Sequence, residues 1–553
     1  MKKTIKTCIM VLLCISIVLT GCSCTGGKGG DSDYDYTGET PETSEDQTEQ
    51  KRSYSVSASN DYAIEVGMSI LEAGGNAVDA AVAMGYVLGV VEPLTSGLGG
   101  SGGMLIYDSN TGAAVFYDYR AAAGTYNGGD KVAIPGFVLG MEKINADYGT
   151  IPIRDLIEPA IYYAEKGFRI NSWISSEYVS NYYLVSQYPE YHADDGSLVG
   201  VDDVMYMPAL AQTLRDIQEQ GSSVFYNGYI ASDIAAKSSL SVNDLKSYEV
   251  IKRDALVADY YGYKIFSANA PLSGLTLLQM LKLSEKIGMA DPSEDVYRYL
   301  NQFKDIAALA QSDRAQHVAD PEFVEEDCQQ YLSDQYISNL ARSAGYNVAD
   351  VNGTVEYLDV QEMAERALDI DGESMETTSY SVADSNGLYV TVTNTLSDLF
   401  GSRIYVDGFW LNNTNSNFSS QVNSFAPGKR SRTFTAPTIV VGPDGLTFAI
   451  GTPGGNKIPG ILFLTIERII KENCPYQEAV DRLRYLYVNG ELYIEFDDTG
   501  SSELSQYSYN GYGIYVASGT SWGSISLAGY SPTEGAFATY DFRRGATYAG
   551  VHN

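Results

Sequence analysis

Between residues 61 and 73 the apolar side chains Ile64, Met68 and Leu71 recur at the spacing of one helix face, and Gly74 suits the C-terminal cap. Residues 76–91 are apolar almost throughout, with Ala and Val dominant, which predicts a helix buried on most sides. Stretches 153–165 and 275–287 also read as helices, set among loops. A different rhythm governs residues 382–395, where Leu388, Val390 and Val392 alternate with Tyr389, Thr391 and Thr393; this predicts a strand. Thr438–Val441 and residues 446–450 predict further strands, followed by an apolar helix over Ile458–Ile470. Buried strands flanked by long helices indicate a layered α/β or α+β body. No internal repeat and no interior low-complexity tract is found.

The chain ahead of this body has another character. Lys2, Lys3 and Lys6 precede a short apolar run, residues 8–19, the order of an export signal. The run is too short for a comfortable spanning helix. It ends in Leu19-Thr20-Gly21-Cys22, which resembles a bacterial lipobox with Cys22 as the lipidated residue; the alternative is an ordinary secretory peptide. The expected organisation is a signal peptide at 1–21, then a lipid anchor and disordered acidic tether at 22–52. Residues 23–52 carry Gly, Ser, Thr, Asp and Glu with almost no aliphatics, too little to offset chain entropy. The expected location is the outer face of a bacterial cell membrane, with the membrane contacted through the anchor alone.

Charge then removes whole classes of partner. The chain has 553 residues, with 36 basic and 70 acidic, a formal net charge of −34. Nothing in that balance would neutralise nucleic-acid phosphates. Three histidines, His192, His317 and His552, make a multi-histidine metal site or a His-dependent triad improbable. No cofactor or metal is implied. Of six cysteines only Cys328 and Cys474 fall in the body, where one disulfide is possible. Gly97-Leu-Gly-Gly-Ser-Gly102 matches the dinucleotide pattern in letters, but it follows a helix and precedes a strand, the reverse of the required order. Its glycines read as sites of close backbone approach.

Two segments carry candidate chemistry. Gly451-Thr-Pro-Gly-Gly455 links a strand to a helix, so backbone N–H groups there either hold an anion, such as an acyl-transfer oxyanion, or simply form a tight turn. Residues 377–460 contain no His and no Cys to activate a nucleophile. A threonine activated by its own α-amine, once the preceding peptide bond is cut, needs neither. Glu376-Thr377-Thr378-Ser379-Tyr380-Ser381-Val382 offers such a threonine, or a Thr-rich strand entry.

With these segments in hand, the chain resembles the gamma-glutamyltransferase (gamma-glutamyltranspeptidase) family of N-terminal-nucleophile hydrolases. The likeness runs from about Ser59 to Val551. It includes Gly74-Gly-Asn-Ala-Val-Asp-Ala-Ala-Val82, the glycines at 97–103, Asp118-Tyr-Arg120, Ile134-Pro-Gly136, Asp313-Arg314, the 376–382 segment, Thr395-Leu396, Leu411-Asn-Asn413, Pro437-Thr438 and Gly451-Thr-Pro-Gly-Gly455. The resemblance implies an α+β fold, the four-layer αββα sandwich, formed jointly by two fragments after self-cleavage between Glu376 and Thr377. A large part (53–376) and a small part (377–553) would stay together as a heterodimer. It implies Thr377 as nucleophile, Thr395 as its hydrogen-bonding partner, Gly454 and Gly455 as oxyanion hole, and Arg120 on the substrate α-carboxylate. Ser397, Thr414, Asn417, Arg430, Arg432, Thr433 and Arg543 complete the implied substrate-binding set. A gamma-glutamyl ester would form and pass to water or an amine.

Several positions depart from the family pattern: Ser379 where His is usual, Ser397 where Asn is usual, Asn417 where a carboxylate holds the glutamyl amine, and Thr433-Phe434 in place of paired serines. The replaced segments, Thr395-Leu-Ser-Asp-Leu-Phe-Gly401, Gly408-Phe-Trp-Leu-Asn-Asn413 and Gly428-Lys-Arg-Ser-Arg432, are similar to the branch that acts on capsular poly-gamma-glutamate. The polymer carries an amide where a free amine would be, and as a polyanion it calls for cations. Lys429, Arg430, Arg432, Arg543 and Arg544 are the candidates to line its path, against the chain's own negative balance. The resemblance leaves open a glutathione-type enzyme of small gamma-glutamyl compounds and a non-catalytic surface lipoprotein that kept the fold. Asp79, on the Ala-rich helix, is expected to cap or to satisfy buried backbone rather than to react.

Overall fold

The computed structural model describes residues 53–348, 376–419, 421–488, 491–496, 514–518 and 523–553. The leader, Cys22 and the tether lie outside the described residues. Two antiparallel sheets organise the rest. Their strands, in chain order, are Tyr54–Ala58 (β1), Ser101–Asp108 (β2), Ala113–Tyr119 (β3), Ile251–Asp254 (β4), Leu256–Tyr260 (β5), Tyr263–Ser267 (β6), Glu376–Ala383 (β7), Leu388–Ser397 (β8), Thr438–Val441 (β9), Thr447–Gly451 (β10), Ser526–Ser531 (β11), Gly535–Thr539 (β12) and Gly550–His552 (β13). The seven-stranded sheet runs β13-β1-β7-β8-β2-β3-β4, and the six-stranded sheet β12-β11-β10-β9-β6-β5.

Helices close both outer faces. Asp61–Glu72 (α1) and Ala77–Val91 (α2) pack on the first sheet, with Ile153–Lys166 (α3) against α2; there Val82, Met84 and Val87 share a core with Tyr380, Val382, Val390 and Val392. Gly274–Ile287 (α4), Val296–His317 (α5) and Ile458–Ile470 (α6) do the same on the second, against Val440, Phe448 and Ile450. Between the sheets lies a smaller apolar cluster with Leu105, Tyr107, Phe116, Tyr389, Ile439 and Ala449. The result is the four-layer αββα sandwich.

Local chemistry explains the elements. Asn76 caps α2 by accepting from the N–H groups of Val78 and Asp79, both at 2.9 Å, and Asp79 accepts in return from Asn76 N–H at 2.9 Å. Asp79 also takes the Thr150 N–H at 2.9 Å, so its carboxylate is structural. The stretch 382–395 is not one strand but the turn-bearing centre of the β7–β8 hairpin. Asp384 Oδ1 accepts from Asn386 and Leu388 N–H, and Gly387 turns the chain at φ 89°. Glycines of the 97–103 run do permit close approach: a Cβ on Gly99 would stand 2.1 Å from the Trp410 carbonyl oxygen. Cys328 and Cys474 are both buried and both free, so no disulfide joins them. Burial pushes the Cys328 thiol up to about 12.

Candidate active site

Thr377 is the second residue of β7, and strand alternation decides where it points. Tyr380 and Val382 belong to the helix-side core. Their neighbours face the other sheet: Ser379 Oγ lies 3.0 Å from Ser526 Oγ, and Ser381 Oγ donates to the Ser526 carbonyl at 3.1 Å. Thr377 continues that inter-sheet row and is buried. The register of β8 places Thr395 directly opposite Thr377, Thr393 opposite Ser379 and Thr391 opposite Ser381. Ser379 Oγ also donates to the Val392 carbonyl at 3.0 Å, which gives a serine at that position an internal role.

Past Thr395 the pairing is interrupted by a bulge, and Ser397 takes φ 83°. This turns the Ser397 N–H onto Thr395 Oγ1 at 2.8 Å and its hydroxyl onto Asn417 Oδ1 at 3.2 Å. From Asn417 a polar chain continues. Its carbonyl accepts from Asn423 Nδ2 at 2.7 Å, and Asn423 Oδ1 accepts from the Arg432 N–H at 2.9 Å. The Arg432 guanidinium donates to Ala315 O and Ser419 Oγ. Arg120, at the end of β3, donates from Nε to Ser431 O at 2.8 Å, and Ser431 Oγ donates to Thr414 O at 3.2 Å. The Thr414 hydroxyl is buried without a hydrogen-bond partner among the described residues. Thr433 donates its N–H to Pro271 O at 3.0 Å, and its carbonyl accepts from Ser273 Oγ at 2.5 Å. Thus Arg120, Ser397, Thr414, Asn417 and Arg432 belong to one polar wall beside Thr395, and Thr433, next in the chain to Arg432, turns to the 271–273 loop.

On the facing sheet, β10 runs into Thr452-Pro453-Gly454-Gly455. A Cβ on Gly451 would come within 2.3 Å of Ser379 Oγ, so the strand leading to the glycine pair presses on the strand that carries Thr377. Gly454 (φ 141°) and Gly455 (φ 57°) swing the backbone into a short 3-10 turn, Gly455–Lys457, that enters α6. This arrangement suits N–H groups directed at an anion.

Not every implied cation lies free to meet a substrate. Arg430 Nε sits 3.6 Å from Asp118 Oδ1, its N–H bonds Asp320 Oδ2 at 2.8 Å, and its Nη2 donates to Glu249 O. Burial opposes its charge, yet Asp118 leads the groups that hold it firmly protonated. Arg543 pairs with Glu495 at 2.6 Å and Asp541 at 3.1 Å. Its neighbour Arg544, the other candidate there, reaches the strand of Thr377: Arg544 Nη1 donates to the Thr377 carbonyl at 2.8 Å. Lys429 Nζ donates to Val422 O at 2.5 Å, and burial pulls its pKa down. Buried Glu92, against Thr378, carries no signal that sequence reading singled out. Among the described residues no group of three or more His, Cys, Asp or Glu could hold a metal. No helix there is long and apolar enough to cross a membrane.

Comparison with known proteins agrees with this geometry. Residues 63–551 match the family model described as Gamma-glutamyltranspeptidase. The "Capsule biosynthesis protein CapD proenzyme" of Bacillus anthracis is 36% identical over 521 residues, covering 92% of this chain and 91% of that one. A "Glutathione hydrolase proenzyme" of Bacillus subtilis (strain 168) is 29% identical over 548 residues, covering 90% of each. Among solved structures, the cephalosporin acylase from Bacillus halodurans superposes with a TM-score of 0.76 over 92% of this chain and 98% of its own. At 23% identity that likeness speaks for the fold alone.

Proposed function

The chain belongs to the gamma-glutamyltranspeptidase family, and on that premise we propose a self-processing gamma-glutamyl transferase and hydrolase that uses Thr377 as nucleophile. The observation that carries this reading is the register of Thr377 opposite Thr395 on the inter-sheet face, in a chain matching the family over residues 63–551. Cleavage between Glu376 and Thr377 would free an α-amine beside the hydroxyl. That amine takes the Oγ1 proton as the oxygen attacks the gamma-carbonyl, and Gly454 and Gly455 N–H groups stabilise the oxyanion. Collapse expels the amine product, protonated by the Thr377 ammonium, and leaves a gamma-glutamyl ester. Water or an acceptor amine then enters by the same route in reverse. Residues 53–376 and 377–553 would remain joined through β7, which sits between β1 and β8.

For substrate we favour poly-gamma-glutamate or gamma-glutamyl peptides. An amide nitrogen carries no positive charge, and the place of a charge-pairing carboxylate is held by the neutral couple Ser397–Asn417 at 3.2 Å. Arg120 and Arg432, buried in that wall, are the cations this reading assigns to the polymer's carboxylates in a chain of net charge −34. The capsule-biosynthesis relative at 36% identity supports the polymer; relatives named glutathione hydrolases support the small substrates. The lysines and the Leu19-Thr20-Gly21-Cys22 sequence support export and lipid anchoring.

The test is incubation of purified protein with poly-gamma-glutamate and with a gamma-glutamyl anilide, each with and without an added amine. Two bands on a denaturing gel, a new terminus at Thr377 and shortening of the polymer are expected, with weak anilide turnover. Strong anilide turnover with an intact polymer would favour the glutathione-type reading. An uncut chain inactive on both would leave a non-catalytic lipoprotein.

A further inference from the structure

Glu92 lies at the C-terminal end of α2, fully buried, on the opposite side of β7 from the Thr377 side chain. Its carboxyl group meets Ser59 Oγ at 3.0 Å and Thr378 Oγ1 at 3.1 Å. Thr378 Oγ1 is also 2.6 Å from Thr95 Oγ1, and Thr95 Oγ1 is 3.1 Å from the Glu92 carbonyl oxygen. The Thr95 carbonyl accepts the Leu396 N–H at 2.8 Å. The turn from Glu92 to Thr95 therefore grips the residue after Thr377 with its side chains and the residue after Thr395 with its backbone. Both strands of the reacting pair are held by one loop.

Counting protons points to the state of the cluster. The contacts Glu92–Thr378, Thr378–Thr95 and Thr95–Glu92 C=O need three protons, and the two threonine hydroxyls supply two. With Thr378 Oγ1 donating to Glu92 Oε2 and Thr95 Oγ1 to the Glu92 carbonyl, the short Thr378–Thr95 contact is left without a proton; a carboxylic acid on Glu92 would supply it by reversing the first bond. We propose that Glu92, as the neutral acid, is a positioning residue for acyl transfer, fixing the start of β7 and the end of β8 so that Thr377 and Thr395 keep their register.

The surroundings agree. Burial is the leading influence and raises the Glu92 pKa, against Ser59, Arg544, Thr378 and Asn60, which favour the ionised form. The groups facing Glu92 are thus Ser59 and Asn60 ahead of α1, Thr95 in its own loop, Thr378 on β7, and Arg544 near the chain end, the one cation among them. Tyr178 is a further titratable group that faces it. Loss of the proton as pH rises removes the donor to Thr378 and loosens the clamp. The role rests on the reading of Thr377 as nucleophile, so the experiment separates the two.

Full-length protein and the variants Glu92→Gln, Glu92→Leu and Thr378→Val are compared for self-cleavage, for kcat and KM on the polymer, for the pH profile and for the melting temperature. Glu92→Gln keeps a donor at every pH. It should process and turn over within threefold of wild type at neutral pH and lose the alkaline fall in rate. Thr378→Val and Glu92→Leu should lower kcat at least tenfold with KM within twofold. Should Glu92→Leu fail to fold, Thr378→Val and the pH profile of Glu92→Gln decide. Wild-type kcat in Thr378→Val, or an unchanged alkaline limb in Glu92→Gln, overturns the role of Glu92 while wild-type processing keeps Thr377 in place. A wild-type chain that neither cuts itself nor turns over removes both.

Discussion

The two faces of the β7–β8 hairpin share one backbone and differ in almost everything else. Toward α1 and α2 it presents Tyr380, Val382, Val390 and Val392, all inaccessible and packed in the larger core. Toward the second sheet it presents Thr377, Ser379, Ser381, Thr391, Thr393 and Thr395, equally inaccessible but hydroxyl-bearing. The apolar face holds position through dispersion and desolvation, which are tolerant of detail. The hydroxyl face must place buried oxygens, and does so mainly across the gap: Ser379 Oγ lies 3.0 Å from Ser526 Oγ and Ser381 donates to the Ser526 carbonyl at 3.1 Å, while Thr393 Oγ1 has no partner among the described residues. Stability is thus concentrated on one side and chemistry on the other, and a residue's face predicts which of the two its loss will damage.

Thr377→Ala should break the comparison most sharply. It removes a hydroxyl and one methyl group from the hydroxyl face, barely disturbs the core, and should leave a single uncut band with polymer turnover reduced at least about a thousandfold. A melting temperature close to that of the wild-type precursor would show that chemistry alone was lost. Gly454→Ala comes next. The nearest atom to an added Cβ is Ile461 Cδ1 at 3.4 Å, so there is space; the obstacle is φ 141°, a conformation that L-residues avoid. Rotation of that peptide would misdirect the N–H groups, and kcat should fall about a hundredfold, the order seen when an oxyanion donor is lost. Unchanged kcat would remove the glycine pair from the reaction.

These same faces explain what a reader of the sequence can and cannot see. The helices α1, α2, α3, α4 and α6 were visible as apolar periodicity, and β8 as alternation of Leu388, Val390 and Val392 with Tyr389, Thr391 and Thr393. The β7–β8 turn was not, because both faces of both strands are buried and the polar signal of a loop was confined to the four residues Asp384-Ser385-Asn386-Gly387. Thr377 was legible only through the order of motifs along the chain; composition alone left a Thr-rich strand entry. That Arg543 meets Asp541 and Glu495 while Arg544 meets the Thr377 carbonyl depends on how two adjacent side chains divide, and no spacing rule encodes that. Glu92 was illegible for a similar reason. It touches Thr378, 286 positions away, and distant hydroxyls leave no local pattern.

Val392→Ala tests the apolar face. Its side chain is fully buried against the helix layer, two methyl groups are deleted, and the cavity should cost about 2 kcal/mol, read as a lower denaturation midpoint at unchanged m-value. Folded material should cut itself and turn over at the wild-type rate. A kcat loss comparable to that of Gly454→Ala would mean that the two faces are mechanically coupled and that the division drawn here is too clean.

Ser381→Ala sharpens the other side and should be the mildest. Its hydroxyl donates to the Ser526 carbonyl at 3.1 Å and lies 3.2 Å from Thr391 Oγ1 and 3.3 Å from Ser526 Oγ. The Thr391 and Ser526 hydroxyls stay close by and can re-pair, so denaturant melting should register about 1 kcal/mol, the worth of one interior hydrogen bond. Self-cleavage should proceed, because Ser381 is four residues along the strand from Thr377. A tenfold drop in kcat would show that the hydroxyl row works as one unit down its length. Retained kcat confines the chemistry to the Thr377–Thr395 end and leaves the remaining hydroxyls as the polar cement between two sheets.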